Sequence, residues 1–163
     1  MWRLISLAAK TNEQMLLEFK SLIPFVESLG EVSDKHWNQP IAAGKWTVKD
    51  IICHLMLWDK YFYEGAIKKI ILREPITTKH LDFNEFNANA VEYAKLLSEQ
   101  TLIEQFVRYR TKIIDAAAGL TEDEFNQEYK DGDRKKFSVR KYLRSFIPHD
   151  KHHKKQIEQF LKP

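Results

Sequence analysis

The stretch Val139-Arg140-Lys141-Tyr142-Leu143-Arg144-Ser145-Phe146-Ile147-Pro148-His149-Asp150-Lys151-His152-His153 decides how this chain is read. Val139, Tyr142, Leu143 and Phe146 recur every three or four positions, and Ile157, Phe160 and Leu161 resume the pattern. The segment therefore reads as a helix with one buried stripe, opened by Ser138 as N-cap. His149 falls three residues after Phe146 and His153 four before Ile157, so two imidazoles continue the stripe through its middle. Histidines at i and i+4 stand one turn apart on one face and can bind a single metal ion. The same spacing also suits a hydrogen-bonded or solvent-facing pair. If the rings are buried they need partners, since an unsatisfied buried polar group costs roughly 1–3 kcal/mol. Pro148 removes the bond to the Arg144 carbonyl and is expected to bend the chain just before His149.

Upstream, the same period recurs. Thr11 to Gln14 has the form of a capping box, followed by a stripe of Met15, Phe19, Leu22, Val26 and Leu29. Gly30 is the expected C-cap and Pro24 the expected break. Residues 31–45 read as an ordered loop with at most one helical turn, His36 at its surface. Thr47 and Asp50 open a second helix, with Val48, Ile51, Ile52, Leu55, Trp58 and Phe62 buried and a run to about Leu72. His54 lies at the edge of that face. Cys53 reads as small core filler or a flanking residue rather than a nucleophile. After a loop carrying His80, Phe83, Phe86, Ala90, Tyr93 and Leu97 mark a helix that breaks near Ser98. Ile103, Phe106, Val107, Arg110, Ile113, Ile114 and Ala117 mark another that ends at Gly119. Thr121 caps a short turn with Phe125. Asp131-Gly132-Asp133 is a turn, and Arg134-Lys135-Lys136 a solvated loop. No alternating run demands a sheet, so the expectation is an all-α four-helix bundle, a single domain over residues 1–163.

Composition narrows the function. The chain carries 26 basic and 23 acidic residues for a net charge of +3, dispersed along its length, which gives no case for nucleic acid. One cysteine excludes an intrachain disulfide framework and suits a cytoplasmic protein. The Trp2 to Ala9 run, interrupted by Arg3, is too short for a membrane span and unlike a signal peptide. No membrane association is expected.

Bundles build metal sites from facing helices, and the candidates are His54 with His149 and His153. Three neutral imidazoles leave a fourth position for water or a substrate thiolate, an arrangement typical of catalytic zinc. His152 is the rival ligand, but it lies about 60° from His149 and about 100° from His153 around the helix. Asp150 and Glu158 are expected as exposed charges or as acceptors for an imidazole N–H. Tyr61, Glu64 and Asn87 are candidate lining residues, and Trp58 a pocket wall or core aromatic. No residue is singled out as a general base.

The string Lys45-Trp46-Thr47-Val48-Lys49-Asp50-Ile51-Ile52-Cys53-His54-Leu55 with Trp58 resembles the second-helix signature of the DinB-like superfamily. The segment from His149 to Ile157 is similar to that family's last-helix motif, and Phe83-Asn84-Glu85-Phe86-Asn87 is also similar to it. The resemblance runs from about Thr11 to Leu161. It implies an up-down-down-up bundle with a divalent metal, nickel or zinc, on His54, His149 and His153. It further implies a homodimer and a small-molecule substrate, in some relatives with a low-molecular-weight thiol as cosubstrate. Pro148 beside the first of the last-helix ligands departs from a regular helix. The readings that follow are a metal-dependent hydrolase or thiol transferase, a non-catalytic metal- or ligand-binding bundle, and a structural dimer with satisfied core histidines.

Overall fold

The helices begin where side chains can cap them. Capping boxes at Thr11, Thr47 and Thr121 open α1 (Asn12–Lys20), α4 (Val48–Phe62) and α8 (Glu122–Asn126). Ser33, Asp82, Ser98 and Ser138 each accept a backbone N–H at the start of α3 (Asp34–Asn38), α6 (Phe83–Ala94), α7 (Glu99–Ala118) and α9 (Val139–Leu161). These elements belong to a computed structural model that describes residues 9–163; apart from Ala9, the Trp2 to Ala9 run lies outside the described residues.

Pro24 breaks the first helix as expected. α1 stops at Lys20, the residue whose carbonyl Pro24 cannot engage, and α2 (Leu22–Ser28) follows after Ser21. Gly30 is not the C-cap expected of it; Leu29 caps α2. The chain tightens instead into a 3-10 turn, Leu29–Glu31, and the Val32 N–H closes it on the Leu29 carbonyl. The second helix does reach Leu72, but α4 passes through a π-turn, Tyr63–Ile67, before α5 (Lys68–Leu72) ends at Arg73 in the left-handed region. Pro148 sits inside an unbroken α9 of 23 residues. A short hairpin, β1 (Tyr129–Lys130) with β2 (Lys136–Phe137), closes the Asp131 turn. Strands of two residues are too short to leave an alternating signature.

Named contacts give the helix directions. Arg140 bonds Asn12 and Lys151 bonds Glu18, so α9 runs parallel to α1. Lys60 lies over Tyr109 and Lys112 over Tyr63, so α4 and α7 are parallel to each other. Phe62 meets Tyr142 while His54 meets His149, so α4 opposes α9. The result is a four-helix, up-down-down-up bundle. α4 is its centre: Val48, Ile51, Ile52, Cys53, His54, Leu55, Met56, Trp58 and Asp59 are all buried. One buried face was expected. The helix is enclosed on several sides because α6 and α9 cover what α7 leaves open. Among the described residues no helix is long and apolar enough to cross a membrane.

Candidate metal centre

Antiparallel packing of α4 on α9 brings His54 to the two histidines one turn apart on α9. The His149 Nε2 atom lies 3.2 Å from Nε2 of His54 and 3.2 Å from Nε2 of His153. His54 and His153 are buried and His149 half-buried. His152 is exposed and takes no part. The three residues expected to act together are therefore the three that meet.

The donor set fits a divalent cation. Tetrahedral ligation with metal–nitrogen bonds of about 2.0–2.1 Å separates ligand nitrogens by about 3.3 Å, close to the spacing here. Gln156 fixes one tautomer: its Oε1 lies 2.9 Å from His153 Nδ1, which must donate, leaving the Nε2 lone pair free. Nδ1 of His54 and of His149 are buried without a hydrogen-bond partner among the described residues. Three imidazoles facing one another cannot satisfy all their lone pairs with protons of their own, whereas one cation accepts three. Burial, then the charges of His149 and His153, pushes the His54 pKa down to about 3. Burial, then His149, pushes His153 down to about 4. His149 is also lowered, mainly by burial. Near neutral pH all three rings are thus in the neutral form that ligates metal.

Trp46 flanks the centre and a buried ion triad lies beneath it. The Trp46 ring packs 5.1 Å from His54 and stacks on His153 at 6.5 Å and 18°. It precedes the Thr47 cap, a position from which an apolar residue packs back onto the first turn. Asp150 departs from expectation. Instead of accepting an imidazole N–H it is buried and bonds Arg110 Nη1 at 2.7 Å. Asp59 takes Arg110 from the other side, with Oδ2 2.7 Å from Nε and Oδ1 3.1 Å from Nη2. One guanidinium thus bridges α4, α7 and α9 beneath the histidines. Burial raises both carboxyls above the usual range against the pull of Arg110, which can neutralise only one of them. Sequence reasoning missed this triad, although an arginine in the apolar stripe of α7 was the signal for it. Glu158 is exposed and faces Lys154 at 3.8 Å.

Above His54 and His149 opens a cavity of about 400 Å³. Trp58, Phe62, Phe83 and Phe146 wall it, with Asn87 and Ser145 as its other polar residues. Asn87 and Trp58 thus line it as expected. Tyr61 and Glu64 do not: Glu64 is exposed, and the Tyr61 hydroxyl donates to the Lys79 carbonyl (2.9 Å) and accepts from the Lys79 N–H (2.8 Å). Phe83 was expected in a core stripe, yet it is 57% exposed and stands at the cavity mouth. Cys53 is fully buried and burial pushes its pKa up to about 12, as befits core filler. His36 and His80 are exposed.

A model of the DinB superfamily matches residues 21–157, and the chain belongs to that superfamily. Among solved structures the fold is similar to that of YfiT from Bacillus subtilis, described as "a probable metal-dependent hydrolase with an unusual four-helix bundle topology". The two share 15% identity and a TM-score of 0.75 over 98% of this chain and 91% of that one. No curated protein matches.

Proposed function

We propose that the protein is a metal-dependent hydrolase of small molecules, with His54, His149 and His153 holding a zinc or nickel ion at the floor of the aromatic cavity. The observation that carries the reading is the convergence of three neutral imidazole nitrogens beside a cavity large enough for a substrate. A divalent ion there would supply Lewis acidity to a substrate carbonyl and acidify water at a position the protein leaves free. The chain's own residues do the rest. The three histidines keep their lone pairs on one point; Gln156 holds His153 in the right tautomer; Trp46 packs against the rings of His54 and His153. Trp58, Phe62 and Phe146 exclude bulk solvent from the reacting bond, and Asn87 and Ser145 offer polar contacts that orient a substrate. In hydrolysis the acyl bond to the leaving group breaks, water gives its oxygen to the acyl carbon, and its protons go to the two products. The description of YfiT as a probable metal-dependent hydrolase supports this choice over a thiol transferase.

Metal analysis of protein prepared without a histidine tag tests the reading. About one equivalent of zinc or nickel is expected, absent from His153→Ala, together with ester or amide hydrolysis that a chelator abolishes. One equivalent of metal with no hydrolysis across a neutral ester and amide panel would favour a binding bundle. A chain that takes up no metal on titration sinks the proposal.

A further inference from the structure

Resting on that reading of the cavity, we propose that its substrates are uncharged molecules with a flat aromatic body and a hydrogen-bond donor, gripped by Phe83 at the mouth and by Asn87 inside. Among the described residues, no side chain lining the cavity carries a formal charge beyond what the histidines could hold. Arg110, the cation nearest beneath, is fully buried and already shared between Asp59 and Asp150. Away from the histidines, a carboxylate or ammonium in the cavity would lose its water and gain no ionic side-chain partner, which is costly. An apolar ring loses nothing comparable and meets aromatic faces.

Phe83 is the second observation. A phenylalanine more than half exposed at the first turn of a helix is out of place as core, and the backbone that carries it is anchored. Asp82 caps its helix, and its ring lies 5.7 Å from that of Trp58 at 65°, within the range of favourable edge-to-face pairs. The strap that delivers it is pinned along its length. Thr77 N–H donates to the Gly65 carbonyl at 2.9 Å, Gly132 N–H to the Thr78 carbonyl at 2.7 Å, and His80 N–H to Asp133 at 2.6 Å. Trp58, itself stacked on Phe86 at 3.9 Å, completes an aromatic slot. Such a slot selects flat rings, because an ordered aromatic wall gains contact with them at little entropic cost.

Asn87 is the third. It lies four residues after Phe83, on the same side of α6, and its Oδ1 is buried without a hydrogen bond of good geometry: it stands beside His54, whose proton it favours, but is not closed onto that ring. A buried unpaired acceptor in an apolar cavity calls for a donor from the occupant. An aryl carboxamide offers a ring for the slot, an N–H for Asn87 and a carbonyl that can face the histidines. A charged thiol peptide offers none of the first and adds unpartnered charge.

Binding of 2-naphthamide, 2-naphthoate, the saturated decahydronaphthalene-2-carboxamide and glutathione to the 163-residue chain tests this, by ligand-observed NMR and calorimetry. Metal-free protein is used, so that carboxylate or thiolate coordination does not enter. 2-Naphthamide is expected to bind at least tenfold more tightly than each of the others. Phe83→Ala should weaken it about fivefold, Phe83→Trp should retain it, and Asn87→Leu should weaken it by a similar factor. The proposal is overturned if naphthoate, glutathione or the saturated amide binds as well as the aromatic amide. It is equally overturned if Phe83→Ala, folded by circular dichroism, binds unchanged. Zinc stoichiometry on the same preparations separates the two readings. A chain that takes one zinc but shows no preference loses the substrate class alone. A chain that takes no zinc but prefers the amide loses the hydrolase and keeps the aromatic site.

Discussion

At the scale of single residues, Arg110 and Gln156 show how differently two polar side chains can serve one site. Arg110 is fully buried, with its guanidinium 3.6 Å from the Phe19 ring centroid, and it is the only counter-charge the two carboxylates bond to among the described residues. Removing it strands Asp59 and Asp150 in the interior. Arg110→Met should therefore lower the unfolding free energy by about 3–5 kcal/mol, read from urea denaturation. Gln156 is half-buried and contributes little to packing, but it orients a ligand ring. Gln156→Leu should leave the unfolding midpoint of the metal-free chain nearly unchanged while weakening zinc affinity roughly 10- to 100-fold in a competition titration. Equal affinity in the variant would mean that α9 alone holds His153 in place.

At the scale of elements, the strap of residues 73–82 matters because α6 begins where it ends. The hairpin turn leans on it so closely that a Cβ at Gly132 would meet Lys79 Cγ at 2.8 Å and the carbonyl oxygens of Thr77 and Thr78 at 3.0 Å. The lysine side chain can move aside; the two carbonyls belong to backbone held by Gly65 and Tyr61. Gly132→Ala is expected to lower stability by about 1–2 kcal/mol. Faster hydrogen exchange should appear at the amides of Thr77 and Lys79 while those of α7 stay protected. A uniform rise across all helices would show that the strap is no separate unit. Expectation and structure part at this scale. Caps and stripes located every long helix, since a hydroxyl at N-cap and a three-to-four residue period are local features. The π-turn, the 3-10 turn at Gly30 and the hairpin were not legible, because each answers to what packs against it.

At the scale of the whole molecule, the buried histidines tie stability to pH. In the metal-free chain His54 and His153 resist protonation until about pH 3 and about pH 4, whereas an unfolded chain protonates them near the ordinary value of 6.5. The unfolded state thus binds more protons, and stability falls as pH drops from about 6.5 toward 4. Asp59 and Asp150 act with the opposite sign. Their pKa values are raised by burial, so the folded state holds more protons and their contribution grows on acidification. The histidine share is isolated by comparison with His54→Leu. Between pH 7 and pH 5 the metal-free wild type should lose about 2 kcal/mol more than the variant. Parallel urea midpoints for the two would mean that His54 is protonated as easily folded as unfolded. Zinc at a hundred times its dissociation constant should add about 2.7 kcal/mol to the wild type at pH 7, read as a raised melting temperature.

The sequence by itself determined the long helices, most of the stripe that each buries, and the fact that His149 and His153 share one with Phe146 and Ile157. Those are consequences of the helical period, which is written within a few residues. It also pointed to His54 as the third partner, through its place beside the buried stripe of α4. Only the tertiary structure decided that the three Nε2 atoms meet, because that depends on α4 and α9 packing antiparallel in one register. The same packing turned Asp150 inward onto Arg110 and set Phe83 at the mouth of a cavity instead of in the core. Contacts separated by 40 to 95 positions, such as Arg110 with Asp150 and His54 with His149, leave no periodic trace in the chain. They are fixed by how whole helix faces fit together, and that fit is a property of the assembled bundle.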